Sequence, residues 1–329
     1  MPYWLHDQGQ TGMASVLNQK YFTDETAAFA AMEAIMWQEG PTCPHCGATD
    51  RINRLQGVKD RYGKVRPGLW KCYHCRSQFT VRKGTVFESS HLKLHQWFQA
   101  AFLMCSSKKG VSANQLHRTL GVTLKTAWFV AHRLREAMRD SRLAMLGGAG
   151  EYVEADTTFI GGKEKNKHSK KRNANNIGGV GKEIVHALVE RGGRVRSHHI
   201  HSVNGQTLRP ILFGNVDTKS TLMTDTAGGY LHAGKKFARH EMVDHGAGEY
   251  VRDGAHSNTV EGYFSILKRG IVGTFHHVSR KHLPRYLAEF DFRYNHRIAN
   301  GVDDAARTVA MLKGAEGKRL TYRRTGGRA

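Results

Sequence analysis

Tyr152-Val-Glu-Ala-Asp-Thr-Thr-Phe-Ile160 is the stretch on which the fold turns. Its β-branched, aromatic and alternating pattern reads as a strand, and period-two alternation puts Glu154 and Asp156 on one face. An acid embedded in a strand is unfavourable unless it has a partner or a metal. Upstream, Gly147-Gly148-Ala149-Gly150 is the strongest breaker in the chain and marks a domain boundary. Downstream come a basic loop, Lys163 to Lys182, and a strand, Ile184 to Val189. Gly192-Gly193 and a third strand, Val195 to Ile200, complete a hairpin signal. A short helix at Thr207 to Phe213 precedes a fourth strand, Thr221 to Thr224, and helices run from His256 to about Asn300. Three meandering strands, a helix, a strand and then helices predict a mixed sheet with helices on its faces.

The 329 residues predict more than one folded unit. Residues 1–40 carry a helical run, Asp24 to Gln38, which reads as packing. Residues 41–90 hold Cys43-Pro-His-Cys46 and Cys72-Tyr-His-Cys75, two C-x-x-C pairs with 25 residues between them. Two such pairs complete the four-sulfur shell of structural zinc, a closed site with no open position for water. The long spacing predicts an insertion around Gly57 to Gly68 in the intervening hairpin. His45 and His74 lie inside the pairs and point elsewhere, while Lys71, Arg76, Arg82 and Lys83 suggest a phosphate-facing surface. Cys105 reads as core.

Residues 91–146 read as helical. Within them Ser112 to Leu120, Gly121-Val122 and Thr123 to Met138 form a helix-turn-helix pattern, with Ser112 and Thr123 as caps. The second helix would bring Lys125, Thr126 and Trp128 near DNA bases, and Arg133 and Arg135 near phosphates. Residues 301–329 read as a basic tail.

Lysine and arginine number 50 against 28 acids, a formal charge of +22. Such an excess is most readily tolerated beside a polyanion, and nucleic acid is the leading candidate. The longest apolar stretches fall well short of a membrane span, and Met1 to Gln10 lacks a signal-peptide pattern, so a cytoplasmic, reducing setting is expected. Gly178-Gly-Val-Gly-Lys182 fails as a phosphate loop. His240-Glu241-Met-Val-Asp-His245 fails as a zinc-protease motif by one residue of spacing.

Asp225 closes the fourth strand, and Glu261 follows after 35 intervening residues, in the helical segment His256-Ser-Asn-Thr-Val-Glu-Gly-Tyr-Phe-Ser-Ile-Leu-Lys268-Arg269. Asn258, Glu261, Ser265 and Lys268 share one helical face. Two strand acids and one helix acid suit a pair of Mg²⁺ ions about 4 Å apart, an arrangement that serves phosphodiester displacement.

The cysteine pairs, the segment Glu154 to Lys163 and the segment His256 to Arg269 together resemble bacterial insertion-sequence transposases of the Asp-Asp-Glu type. The resemblance extends through Gly273-Thr-Phe-His-His-Val-Ser279 and Leu283 to Arg297, roughly residues 40–300. It implies a multidomain α+β protein: zinc ribbon (41–90), helix-turn-helix region (91–146) and a ribonuclease-H-like mixed α/β catalytic domain (150–300). It implies that Asp156, Asp225 and Glu261 bind catalytic Mg²⁺ or Mn²⁺, with Asn258 a weaker candidate for the third ligand, and that Lys268 and Arg269 hold DNA. Strand cleavage at terminal inverted repeats, strand transfer into target DNA, at least a homodimer on DNA and a nucleoid-associated location follow from it. Two other readings remain open from the residues: a zinc-ribbon DNA-binding regulator without catalysis, and a ribonuclease-H-like nuclease that cuts without joining.

Overall fold

The computed structural model describes residues 15–140, 144–162, 166–173, 179–226, 228–243 and 258–321. Met1 to Gln10, much of the loop from Lys163 to Lys182, His245, His256 and the last eight residues of the basic tail lie outside the described residues. The chain divides into two compact units, residues 1–139 with 301–329, and residues 140–300. The first is therefore discontinuous in the chain.

In the first unit, α1 (Glu25–Met36) starts where the Asp24 carboxylate accepts from the Ala27 amide at 2.7 Å, and it buries Ala28, Phe29, Met32 and Ile35 along one stripe. The ribbon has three antiparallel strands, β1 (Ile52–Leu55), β2 (Leu69–Cys72) and β3 (Gln78–Phe79), with β2 in the middle. Helix α2 (Leu94–Ser106) begins on Glu25, whose carboxylate accepts from the Leu94 and His95 amides at 2.8 and 3.2 Å. Helices α3 (Ala113–Leu120) and α4 (Leu124–Ala137) form the expected helix-turn-helix. Ser112 Oγ caps the Gln115 amide at 3.1 Å, Thr123 Oγ1 caps the Thr126 amide at 3.2 Å, and Gly121 makes the turn at φ +65°.

The second unit is built on a five-stranded sheet of β4 (Tyr152–Ile160), β5 (Glu183–Glu190), β6 (Val195–Ile200), β7 (Thr221–Asp225) and β8 (Arg239–Val243), in the order β6-β5-β4-β7-β8. The β4-β5-β6 meander is antiparallel, and β7 and β8 run parallel to β4. Helices α5 (Gly205–Asn215) and α6 (Leu231–Gly234) make the parallel crossovers. Alternation divides the sheet between two cores. Val153, Ala155, Leu188 and Leu222 face α5 and α6, together with Tyr230. Ile160, Val185, Ala187 and Val189 face α7 (Asn258–Gly270) and α8 (Leu283–Asn295). This is the expected ribonuclease-H-like arrangement, a meander extended by parallel strands beyond its first member.

Three details depart from the sequence reading. Strand β8 was not anticipated, and it holds His240 and Glu241 in extended backbone. Residues Asp304–Lys313, inside the stretch read as a tail, form α9, which buries Met311 and Leu312 and whose Arg307 donates to the Cys105 carbonyl at 2.8 Å. Arg133 and Arg135 are buried at 6% and 2% exposure. The Arg133 guanidinium donates to the carbonyls of Glu88 (3.0 Å) and Leu320 (3.1 Å), so it ties backbone segments together and does not face phosphates.

Candidate active site

The face of β4 opposite Val153 and Ala155 carries Glu154 and Asp156, and on β7 the face opposite Leu222 carries Met223 and Asp225. Both sets therefore lie on the side that α7 and α8 cover. The parallel register pairs Ala155 with Thr224, so the next residues along, Asp156 and Asp225, stand side by side at one strand spacing, roughly 5 Å between backbones. Asp225 is the last residue of β7, and Asp156 is the middle residue of β4, one place beyond the last pair of its parallel ladder with β7. Both are partly exposed.

Glu154 is fully buried and holds the third element in place. Its carboxylate accepts from the Thr259 and Val260 amides at 3.0 Å each, from Thr259 Oγ1 at 2.8 Å and from Arg191 Nε at 3.2 Å. A carboxylate on the first amides of a helix satisfies orphan donors and complements the helix dipole. Glu154 thus fixes the first turn of α7 over the first half of β4, and that turn carries Asn258 and Glu261, both exposed. Lys268 and Arg269 stand exposed in the last turn, with Arg269 Nε donating to Ser265 Oγ at 3.1 Å.

The backbone at the two strand acids is held from below. His186 Nδ1 donates to the Asp156 carbonyl at 3.1 Å and lies 3.3 Å from the Tyr230 hydroxyl. Burial first, and the neighbouring His198 second, push the His186 pKa down to about 3, so its ring is neutral. Burial and then the negative charges of Asp225 and Asp156 raise the Tyr230 pKa well above the ordinary phenol value. Thr224 Oγ1 donates to the Asp225 carbonyl at 2.8 Å and meets His240 Nε2 at 3.0 Å. The roles of Glu154, His186, Tyr230 and Arg191 were not assigned from sequence. Glu154 alone left a signal, as a strand acid in need of a partner.

Among the described residues, one set of three or more possible ligands has all its ligand atoms within 4.8 Å of one another: Cys43, Cys46, Cys72 and Cys75. Asp156, Asp225 and Glu261 do not form such a set. The Cys43–Cys75 and Cys46–Cys72 sulfur distances are both 3.7 Å. A tetrahedron with Zn–S bonds of about 2.3 Å has edges of about 3.8 Å, so the four thiols fit zinc. His74 Nε2 is 2.9 Å from Asp50 and His45 is exposed, which leaves both outside the sulfur cluster. Of the flanking cations, Arg82 donates to the Phe87 and Ser90 carbonyls and Lys83 pairs with Glu88, while Arg76 is exposed. On α4, Lys125 is exposed and Thr126 half-buried, and Trp128 packs on His132 with ring centroids 4.1 Å apart.

Residues 145–295 match the ISXO2-like transposase domain, and residues 23–78 match the transposase zinc-ribbon domain. An uncharacterized protein in transposable element ISH50 of Halobacterium salinarum is 30% identical over 288 residues, which is 83% of this chain and 92% of that protein. The chain belongs to the ISXO2-like insertion-sequence transposases. Its zinc-ribbon match covers the first cysteine pair and the second, as the sulfur cluster requires. Among solved structures, the transposase is similar to a chain of the simian T-cell lymphotropic virus intasome in complex with PP2A regulatory subunit B56 gamma. The identity is 18% and the TM-score 0.27, over 54% of the transposase and 63% of that chain. It is also similar to a chain of the Mos1 strand transfer complex, at 12% identity and TM-score 0.26, over 64% and 75% of the two chains. The transposase spans less than two thirds of the viral chain, and its fold is read from its own strand order. No described helix is long and apolar enough to cross a membrane.

Proposed function

We propose that this transposase binds the terminal inverted repeats of its element, cleaves there in a metal-dependent reaction and transfers the freed 3′-hydroxyl into target DNA. The observation that supports this reading is the adjacency of Asp156, midway along β4, and Asp225, the last residue of β7, on the sheet face to which Glu154 pins the first turn of α7, the turn that bears Glu261. Asp156, Asp225 and Glu261, with Asn258 as the weaker alternative, offer hard oxygen donors of the kind Mg²⁺ or Mn²⁺ takes. When bound, the ions supply water activation and stabilise the attacking and leaving oxygens. The protein's part is positional. Glu154 sets the height of Glu261, His186 holds the Asp156 backbone, and the exposed Lys268 and Arg269 stand ready for phosphates. Lys125 and Thr126 at the start of α4 are proposed to face DNA; Arg133 is not. Two element ends must be joined to one target, so a homodimer or higher assembly on DNA is expected.

The test is cleavage and joining of labelled element ends in Mg²⁺. Asp156→Asn, Asp225→Asn and Glu261→Gln are each expected to lower strand transfer by about 10³-fold or more while end binding survives, because several kcal/mol of transition-state stabilisation are removed. A wild type that binds ends but neither nicks nor joins them with Mg²⁺ or Mn²⁺ overturns the catalytic reading. Nicking without joining points to a nuclease.

A further inference from the structure

Between β1 and β2, Val58 to Arg66 form a small hairpin of their own. Lys59 and Val65 bridge antiparallel, the Arg66 amide donates to the Val58 carbonyl at 2.8 Å and the Asp60 amide to the Lys64 carbonyl at 2.8 Å. The Asp60 carboxylate accepts from the Tyr62 and Lys64 amides at 2.9 and 3.0 Å, and Gly63 turns at φ +78°. The single acid of the hairpin is thus committed to shaping its tip. Lys59, Arg61, Lys64 and Arg66 are all exposed, and none is within ion-pair distance of a described carboxylate. Elsewhere on the ribbon, Arg54 pairs with Glu33 at 3.4 Å and Lys83 with Glu88 at 2.8 Å. Tyr62 stands at the tip with 77% of its surface exposed, and the Arg61 guanidinium lies 4.6 Å from its ring centroid. A cleft of about 700 Å³, lined by Lys64, Arg66 and Pro67 on one side and Asp24, Glu25 and Phe29 on the other, separates the hairpin's flank from α1.

The cations occupy both faces of this ribbon. Lys59 shares a face with its partner Val65, whereas Lys64 and Arg66, one position to either side of Val65, point to the other. A flat anionic surface would meet one face. A groove of duplex DNA has a phosphate wall on each side, and a two-stranded ribbon fits the major groove, about 12 Å wide.

We propose that the Val58–Arg66 hairpin is a DNA-contacting arm that enters a groove of the duplex, with Lys59, Arg61, Lys64 and Arg66 on the phosphate walls and the Tyr62 ring against the groove's sugar and base edges. This rests on the reading of the chain as a DNA-binding transposase but not on the catalytic acids. The test is fluorescence anisotropy with a labelled duplex of arbitrary sequence, about 30 base pairs long, titrated between about 50 and 200 mM NaCl. Three variants are compared with the wild type: the quadruple Lys59→Gln/Arg61→Gln/Lys64→Gln/Arg66→Gln, the tip pair Lys59→Gln/Arg61→Gln, and a charge-matched control, Arg209→Gln/Lys219→Gln/Lys235→Gln/Lys236→Gln. Zinc content and melting temperature confirm that each ribbon is folded. The quadruple variant is expected to bind at least about tenfold more weakly, with a log–log salt slope shallower by roughly 3, the tip pair to lose about half of that, and the control to keep the wild-type slope. Tyr62→Ala is expected to weaken binding several-fold at unchanged slope. Wild-type affinity and slope in a folded quadruple or tip-pair variant overturn the arm, as does an equal loss in the control or a loss confined to single-stranded DNA. Unchanged affinity in Tyr62→Ala overturns the ring contact. A wild type that does not bind duplex at all overturns the underlying DNA reading.

Discussion

Glu154 and Asp156 share one strand face two residues apart, yet their surroundings separate their tasks. Glu154 accepts four hydrogen bonds in full burial, whereas Asp156 keeps part of its surface open. Glu154→Gln trades a charged acceptor for an amide that cannot satisfy two helix amides and Arg191 together. The expected loss is about 2–4 kcal/mol in urea unfolding, and an unchanged midpoint would refute the helix-seating role. His186 and His198 make a second prediction. Burial lowers their folded pKa values to about 3 and about 4, below the roughly 6.5 of the unfolded chain. The unfolded state therefore binds protons that the native state refuses. The contribution to stability is complete above about pH 6.5 and falls towards pH 4 by about 1.4 kcal/mol per pH unit for each ring. His198→Asn should remove about half of that slope in thermal melts taken across the window. Asp156, Asp225 and Glu261 were legible as candidates because acids are conspicuous in strands and at helix starts. The partners of Glu154 were not, since Thr259 and Val260 lie more than 100 residues along the chain. Arg133 misled for the same reason. Its carbonyl acceptors belong to Glu88 and Leu320, and nothing within α4 announces them.

At the scale of elements, local chemistry was readable where it is self-contained. Ser112, Gly121 and Thr123 write the helix-turn-helix into ten residues or so, and the side-chain caps and left-handed turn follow directly. Gly121→Ala places a Cβ in open space but at φ +65°, so its expected effect is backbone strain alone, about 1 kcal/mol in urea unfolding. A loss of several kcal/mol would mean that the turn packs against something further. The cysteine pairs were equally local, and purified protein is expected to hold about one zinc per chain, with chelation unfolding the ribbon; metal analysis and circular dichroism read both. Strand β8 was hidden. Arg239-His-Glu-Met-Val243 has neither clean alternation nor a long apolar run, and it is an edge strand defined by its register on β7.

At the scale of the molecule, charge and organisation were legible to different depths. The +22 total pointed to a polyanion, but not which cations remain unmatched once the chain folds. The segment after Asn300 read as a tail because its Lys, Arg and Gly content hides the stripe of Met311 and Leu312. Truncation after Asn300 should therefore strip protection from α2 and α4 in hydrogen exchange while the amides of the five-stranded sheet keep theirs; uniform protection in the truncated chain would show α9 to be dispensable. Because α9 belongs to the unit that begins the chain, that unit stays unfinished while residues 140–300 are made. A ribosome must release the whole sheet domain before the zinc ribbon and helix-turn-helix gain their last helix, so a message broken within residues 140–300 yields a first unit that lacks α9 and the Met311 and Leu312 side chains it buries.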